Sequence, residues 1–218
     1  MFGKLLKEFI IRLGILIQNY NGEIAKRTLP RFANSPENLN ISLPRQIINP
    51  ERIFIGNNVW LGPGCLLIAI MRYPTAPLKH PEMNHPAQNF DPVIRIGNRV
   101  SATSNLQIAA MKEIIIEDDV MFASNINITD GLHGYDNPYE PYKYQKISKI
   151  APIHIKKGCW IGQNVVILPG VTIGEYSIIG ANSVVTKSIP PRSIAVGAPA
   201  KIIKQWNDTQ QWVSVKDA

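Results

Sequence analysis

The side chains best suited to proton transfer, metal ligation or nucleophilic attack are four histidines and two cysteines. His133 lies in Ile128-Thr-Asp-Gly-Leu-His133-Gly-Tyr, with Asp130 three residues earlier. Histidine exchanges a proton near neutral pH, and a nearby carboxylate can orient its ring and stabilise the imidazolium. A backbone carbonyl can orient the ring equally well, and the spacing does not choose between the two. His80 and His85 sit together in a Pro-containing stretch and read as exposed loop histidines. His154 directly precedes an apolar repeat position and reads as structural. A zinc site needs three converging ligands, and no two of these histidines stand at ligand spacing, so no metal is expected. Cys159 offers a thiol, but it falls on an inward position of the repeat described next, so it reads as a small buried hydrophobe.

The elements that must position these groups follow from a six-residue period. Ile155, Ile161, Ile167, Ile173, Ile179 and Val185 recur at every sixth place. Four residues after each come Cys159, Val165, Val171, Ser177, Ser183 and Ile189. The same register appears earlier, in broken form: Ile55, Leu61, Leu67; then Ile96, Ala102, Ile108; then Ile116, Phe122, Ile128, offset by two extra residues near Lys112. Six matches neither the helical period nor strand alternation. It matches the hexapeptide repeat of a parallel β-helix, in which three short strands make one coil and each contributes an aliphatic side chain to the interior. The expected organisation is a helix and cap over 1–52, a β-helix over 53–204, and a tail over 205–218. Insertions at 68–95 and 129–154 interrupt the repeat. Such long loops are often functional, because a solenoid face carries no pocket of its own.

The chain has 218 residues, 45% of them apolar, and a net charge of +7. That composition fits a globular domain with a substantial core, and the basic balance points to an anionic ligand or surface. Two cysteines are too few for a secreted disulfide scaffold. Lys4, Lys7, Glu8 and Arg12 interrupt the apolar segment from Phe2 to Tyr20, which is therefore too charged to span a bilayer. The segment also lacks a signal-peptide cleavage site. A cytoplasmic protein is expected, with a peripheral position at the inner membrane face as the second reading. Leu5, Phe9, Leu13, Leu16, Ile17 and Tyr20 recur at helical spacing and predict an amphipathic helix packed on the domain. Weak association of that helix with a membrane surface is the alternative.

The run from Trp160 (WIGQNVVILPGVTIGEYSIIGANSVVTKSIPP), followed by Val196-Gly-Ala-Pro-Ala-Lys-Ile-Ile-Lys, resembles the hexapeptide-repeat acyltransferases. The closer likeness is to the sugar O-acetyltransferases of the galactoside and maltose type and their polysaccharide-modifying relatives. It covers roughly residues 50–204 and is most specific from Ile150 to Lys204. The resemblance implies an all-β fold: a left-handed parallel β-helix with a short N-terminal helix and projecting loops, assembled as a homotrimer. The left hand comes from the resemblance alone, since general crossover rules favour the right.

It further implies acetyl-CoA as co-substrate and a carbohydrate acceptor, with neither metal nor nucleic acid. The acceptor would be a sugar hydroxyl in surface-polysaccharide or lipopolysaccharide biosynthesis, and transfer to an amine is the alternative. A noncatalytic scaffold is the remaining rival class. His133 matches the family's base; Asp130 is the candidate orienter beside it, with a backbone carbonyl as the alternative. The polysaccharide-modifying members often carry Asp-His-x-His where this chain has Asp130-Gly131-Leu132-His133. Thr103, with Asn105 two residues on, matches a substrate-holding asparagine of the galactoside enzymes. Acyl-CoA contacts fall on Gln163, Ala181, Thr186, Lys187, Lys201 and Lys204, with Lys as a point charge for phosphate. Trp160 either flanks the cofactor channel or packs between coils. Tyr135, Tyr139, Tyr142 and Tyr144 either pack the His133 loop down, the reading adopted, or stack on a sugar face. Since no side chain is marked for the oxyanion, a backbone N–H is the expected donor.

Overall fold

A computed structural model of the chain describes residues 2–74 and 86–215. His80 and His85 lie outside the described residues. Every aliphatic side chain of the six-residue repeat is buried, from Ile55 and Leu61 through Phe122 to Val185. So are Cys159, Val165, Val171, Ser177, Ser183 and Ile189. Parallel pairing sets these residues in three columns. One runs Ile55, Ile96, Ile116, Ile155, Ile173. A second runs Leu61, Ala102, Phe122, Ile161, Ile179, Ala195. The third runs Leu67, Ile108, Ile128, Ile167, Val185. Ala102 beside Phe122 sets a small side chain against the largest of its column, so the two offset each other in volume.

The coil also needs corners. Asn105, Asn125, Asn164 and Asn182 all adopt left-handed φ values between 52° and 61°, which asparagine tolerates better than other side chains. Their amides hydrogen-bond in series. Asn105 Nδ2 donates to Asn125 Oδ1 (2.8 Å), Asn125 to Asn164 (2.9 Å), and Asn164 to Asn182 (2.9 Å). Gly64 begins the same corner at φ 82°, where a Cβ would stand 1.8 Å from Asn105 Oδ1. Asn105 is thus committed to an asparagine ladder.

Parallel stacking starts before residue 53. Asn40–Ile41 pairs with Trp60–Leu61, and Arg45–Ile48 with Cys65–Ala69. Ile41 and Ile47 sit over Leu61 and Leu67, but two repeat members before the break at Asn49–Arg52 are too few to reveal a period. At the other end, Lys201–Asn207 and Gln211–Ser214 form an antiparallel hairpin that pairs with Ser193–Val196 and covers the last coil. Strands therefore continue to residue 214, where a tail was expected from 205.

The N-terminal helix α1 (Phe2–Arg27) forms as its spacing predicts, but the expectation that it packs on the domain is overturned. Leu5, Phe9, Leu13, Leu16 and Tyr20 are exposed, and among its described side chains only Ala25 near its end is buried. Arg45 ties that end to the coil, donating to Ala25 O (2.8 Å), Thr28 Oγ1 (2.9 Å) and Ile41 O. No described helix is long and apolar enough to cross a membrane.

The ladder generates a test. Asn125→Ala places a Cβ-bearing residue without an amide at a left-handed corner and cuts two ladder bonds. It is expected to lower unfolding free energy by about 1–3 kcal/mol in denaturant melts, with Asn125→Gly costing less.

Candidate active site

The second insertion leaves the coil after Thr129 and rejoins it at Ile153. Its root is Asp130, which is fully buried. Between Ile108 and Ile116 the chain spends eight residues on a corner that the later coils turn in six, and this corner presents surplus N–H groups. Asp130 Oδ1 accepts from Met111 N (2.6 Å), and Oδ2 accepts from Lys112 N (2.8 Å) and Glu113 N (2.7 Å). The Asp130 carbonyl accepts from Ala151 N (2.9 Å), which joins the two ends of the loop. The expectation that Asp130 orients His133 is therefore corrected: both of its oxygens face the 111–113 corner, whose donors hold them. Burial pushes the Asp130 carboxyl up, and these N–H groups pull against that rise.

His133 stands just beyond. Leu132–His133 pairs antiparallel with Ile147–Ser148, and Gly134 N donates to Lys146 O (2.7 Å). The imidazole is exposed, which suits a group that must meet a substrate. Its ring meets the ring of Tyr73 nearly edge-on, with centroids 5.2 Å apart and planes at 76°. Tyr73 comes from the first insertion, so the structure brings the two insertions together. Tyr73, Met111 and Ile147 are buried as a small core of their own, against which Ile70, Phe90 and Ile150 pack. Gln145 shapes the loop tip, its amide donating to the carbonyls of Asn137 (2.7 Å) and Glu140 (2.9 Å).

Of the four tyrosines expected to pack this loop, only Tyr144 is buried; Tyr135, Tyr139 and Tyr142 are exposed. Tyr73, Gln88 and Met111 were not singled out in the sequence. Their signal is weak, since each lies at a break in the repeat rather than in it.

Thr103 and Asn105 are not brought to His133 within one chain. They occupy the ladder corner, and the strand from Asn105 to Ala109 separates them from the loop root by about 13 Å. Gln107 and Asn127 lie closer to the root and face outward on the same sheet, joined by Asn127 Nδ2 to Gln107 Oε1 at 3.3 Å. Among the proposed acyl-CoA contacts, Gln163 and Ala181 stack at one corner, where Asn182 N donates to Gln163 O (2.8 Å). Thr186 and Lys187 follow the next strand (Val184–Val185), and Lys201 and Lys204 lie on the closing hairpin. All six are exposed, as is Trp160, which aligns with Met121 and Ile178 on an outward column.

Cys159 and His154 have structural surroundings. The Cys159 thiol is buried, donates to Gly174 O (3.1 Å), and is pushed up to about 11, chiefly by burial. His154 Nε2 lies 2.7 Å from Glu117 Oε1 on the outer face of the coil. Among the described residues no three His, Cys, Asp or Glu side chains converge.

Two outcomes follow. Asp130→Ala strips three partly buried N–H groups of their acceptor and is expected to lower stability by about 2–4 kcal/mol in thermal or denaturant unfolding. The folded chain is expected to resist iodoacetamide at Cys159 between pH 7 and pH 9, because its thiol stays protonated there; mass spectrometry of the labelled peptides measures this.

Comparison with known proteins bears on the repeat and the fold. Residues 152–187 match the family model described as bacterial transferase hexapeptide (six repeats). The chain is 40% identical over 124 residues to the galactoside O-acetyltransferase of Escherichia coli, covering 57% of this chain and 60% of that protein. It is 35% identical over 127 residues to the putative lipopolysaccharide biosynthesis O-acetyl transferase WbbJ of the same organism, covering 55% and 65%. It thus spans about three-fifths of the length of these relatives. A crystal structure of a mutant of AntD, an N-acyltransferase from Bacillus cereus in complex with dTDP and coenzyme A, superposes with a TM-score of 0.64. That pair shares 25% identity, over 85% of this chain and 90% of the other. The coils over residues 152–187 match hexapeptide repeats of the bacterial transferase type, in a chain similar to the galactoside O-acetyltransferase and the putative lipopolysaccharide O-acetyl transferase of E. coli.

Proposed function

We propose that the chain is an acetyl-CoA-dependent O-acetyltransferase acting on a sugar hydroxyl, with His133 as general base. The observation that carries this reading is the placement of His133. It is exposed at the meeting point of the two insertions, beside coils that match the transferase repeat. The imidazole takes the hydroxyl proton as the oxygen attacks the thioester carbonyl. A backbone N–H stabilises the oxyanion. The C–S bond then breaks, the acetyl ester forms, and the thiolate leaves as coenzyme A carrying the proton. Transfer is direct, and the elevated, buried Cys159 takes no part as a nucleophile.

In this reading Lys187, Lys201 and Lys204 meet the cofactor phosphates, while Trp160, Gln163, Ala181 and Thr186 line its path. The coil winds left-handed, and three copies assemble as a trimer whose acceptor sites lie between subunits. Thr103 and Asn105 would then reach an acceptor only from a neighbouring copy. The exposed apolar face of α1 leaves it free for weak contact with a membrane surface. Likeness to WbbJ supports surface polysaccharide or lipopolysaccharide precursors as acceptors, and likeness to the galactoside O-acetyltransferase supports a sugar hydroxyl. A second reading, transfer to the amine of an amino sugar, is favoured by the fold shared with AntD over most of the chain.

The test is a panel of sugar and amino-sugar acceptors, assayed by release of the coenzyme A thiol and by product mass. His133→Ala is expected to lower kcat by about 10²–10⁴-fold while acetyl-CoA affinity stays within about twofold of wild type. Turnover undiminished in that variant would contradict the base assignment. Products confined to amines would favour the second reading.

A further inference from the structure

We propose that Tyr73 is the positioning residue for His133, and that the first insertion, through Tyr73 and Gln88, fixes where the imidazole stands. The proposal rests on the reading of His133 as the base. His133 belongs to a strand of two residues, paired with another of two. So short an antiparallel pair is marginal alone, and its order must come from outside. Gln88 supplies it on one side. Its Nε2 donates to Ile147 O (3.1 Å), and its Oε1 accepts from Ile147 N (2.7 Å). One side chain thereby makes the two bonds that a neighbouring strand would make, at the residue directly opposite His133 in the hairpin register.

Tyr73 supplies the other contact, ring against ring. It is itself held from three directions. Its hydroxyl donates to Lys143 O (2.6 Å), its ring is buried with Met111 and Ile147, and Arg72–Tyr73 pairs with Gln88–Asn89. Met111 is in turn fixed by Asp130. The contact between Tyr73 and His133 therefore connects the loop to the coil. Aromatic rings prefer edge-to-face or offset arrangements to a face-to-face one, so the contact bears on the orientation of the imidazole as well as its place. The pair of insertions is not random decoration: each is incomplete without the other, and the one exposed histidine of the second rests on the one buried tyrosine of the first.

The experiment compares Tyr73→Phe, Tyr73→Leu and Gln88→Ala in the full chain by steady-state kinetics and by NMR of the histidine ring protons. His133→Ala identifies the His133 resonances by their loss. Tyr73→Leu removes the ring, so the His133 signals are expected to move. Its kcat is expected to fall about 10–100-fold, the scale of a small misplacement at a reacting group. KM for acetyl-CoA should stay within about twofold. Tyr73→Phe loses only the bond to Lys143; it should keep the His133 signals near their wild-type positions and recover most of kcat. Gln88→Ala should lower kcat in the same direction. Unmoved His133 signals in Tyr73→Leu, or wild-type kcat in that variant, would overturn the proposal. If His133→Ala itself keeps full turnover, the base assignment fails separately, and the nuclear Overhauser contacts of the His133 ring then decide whether Tyr73 holds it: they should be lost or changed in Tyr73→Leu and kept in Tyr73→Phe, and contacts unchanged in Tyr73→Leu would overturn the proposal, because the lost Tyr73 ring current shifts the signals in any case.

Discussion

Each coil of this protein must set its inward side chains over those of the coil before it, and that single requirement reaches all the way to the candidate site. Later coils return in 18 residues, as Ile155 over Ile173 shows, while Ile96 over Ile116 and Ile108 over Ile128 return in 20. The columns do not slip, so the two surplus residues collect in the corner at Met111 and Lys112. A wider corner turns more N–H groups away from strand partners, and buried donors need acceptors. Asp130 meets three of them with one carboxylate. The residue that ends the strand Met121–Thr129 and opens the second insertion thus also closes the corner beneath it.

From that joint a second, smaller core grows outside the solenoid. The main core needs only apolar columns, and its parallel pairing runs the length of the coil. The smaller one draws Tyr73 and Ile147 from different insertions and Met111 from the widened corner. Away from the closing C-terminal hairpin, antiparallel pairing among the described residues occurs only in these insertions, at Arg72–Tyr73 with Gln88–Asn89 and at Leu132–His133 with Ile147–Ser148. A flat solenoid face offers little grip for a substrate. Loops with a core of their own can hold an exposed imidazole in one place while the coil remains a plain scaffold.

The coil was legible in the sequence because its period is strict: a residue such as Ile167 is buried for the same reason as Ile161 and Ile173. Ile41 and Ile47 obey the same rule but were invisible, since two members do not make a period. His133 was legible as a candidate because the repeat breaks around it. The role of Asp130 was not. An aspartate three residues before a histidine suggests a pair, and only the surplus donors at Met111, Lys112 and Glu113 reveal a stronger claim on its oxygens. The corner that holds Asn105 was illegible for a related reason: its left-handed backbone and ladder bonds depend on Asn125, Asn164 and Asn182 being stacked beside it, a fact that spacing alone does not show. The α1 helix shows the limit of periodicity, which predicts an apolar face but not what lies against it.

The most direct measurement of the central claim is a crystal structure of the chain with coenzyme A and an acceptor bound together. The acceptor hydroxyl is expected at about 3 Å from an imidazole nitrogen of His133, hydrogen-bond reach for a base, with the Tyr73 ring still edge-on to it. An acceptor bound at another face of the coil, with His133 beyond hydrogen-bond reach of its hydroxyls, would contradict it.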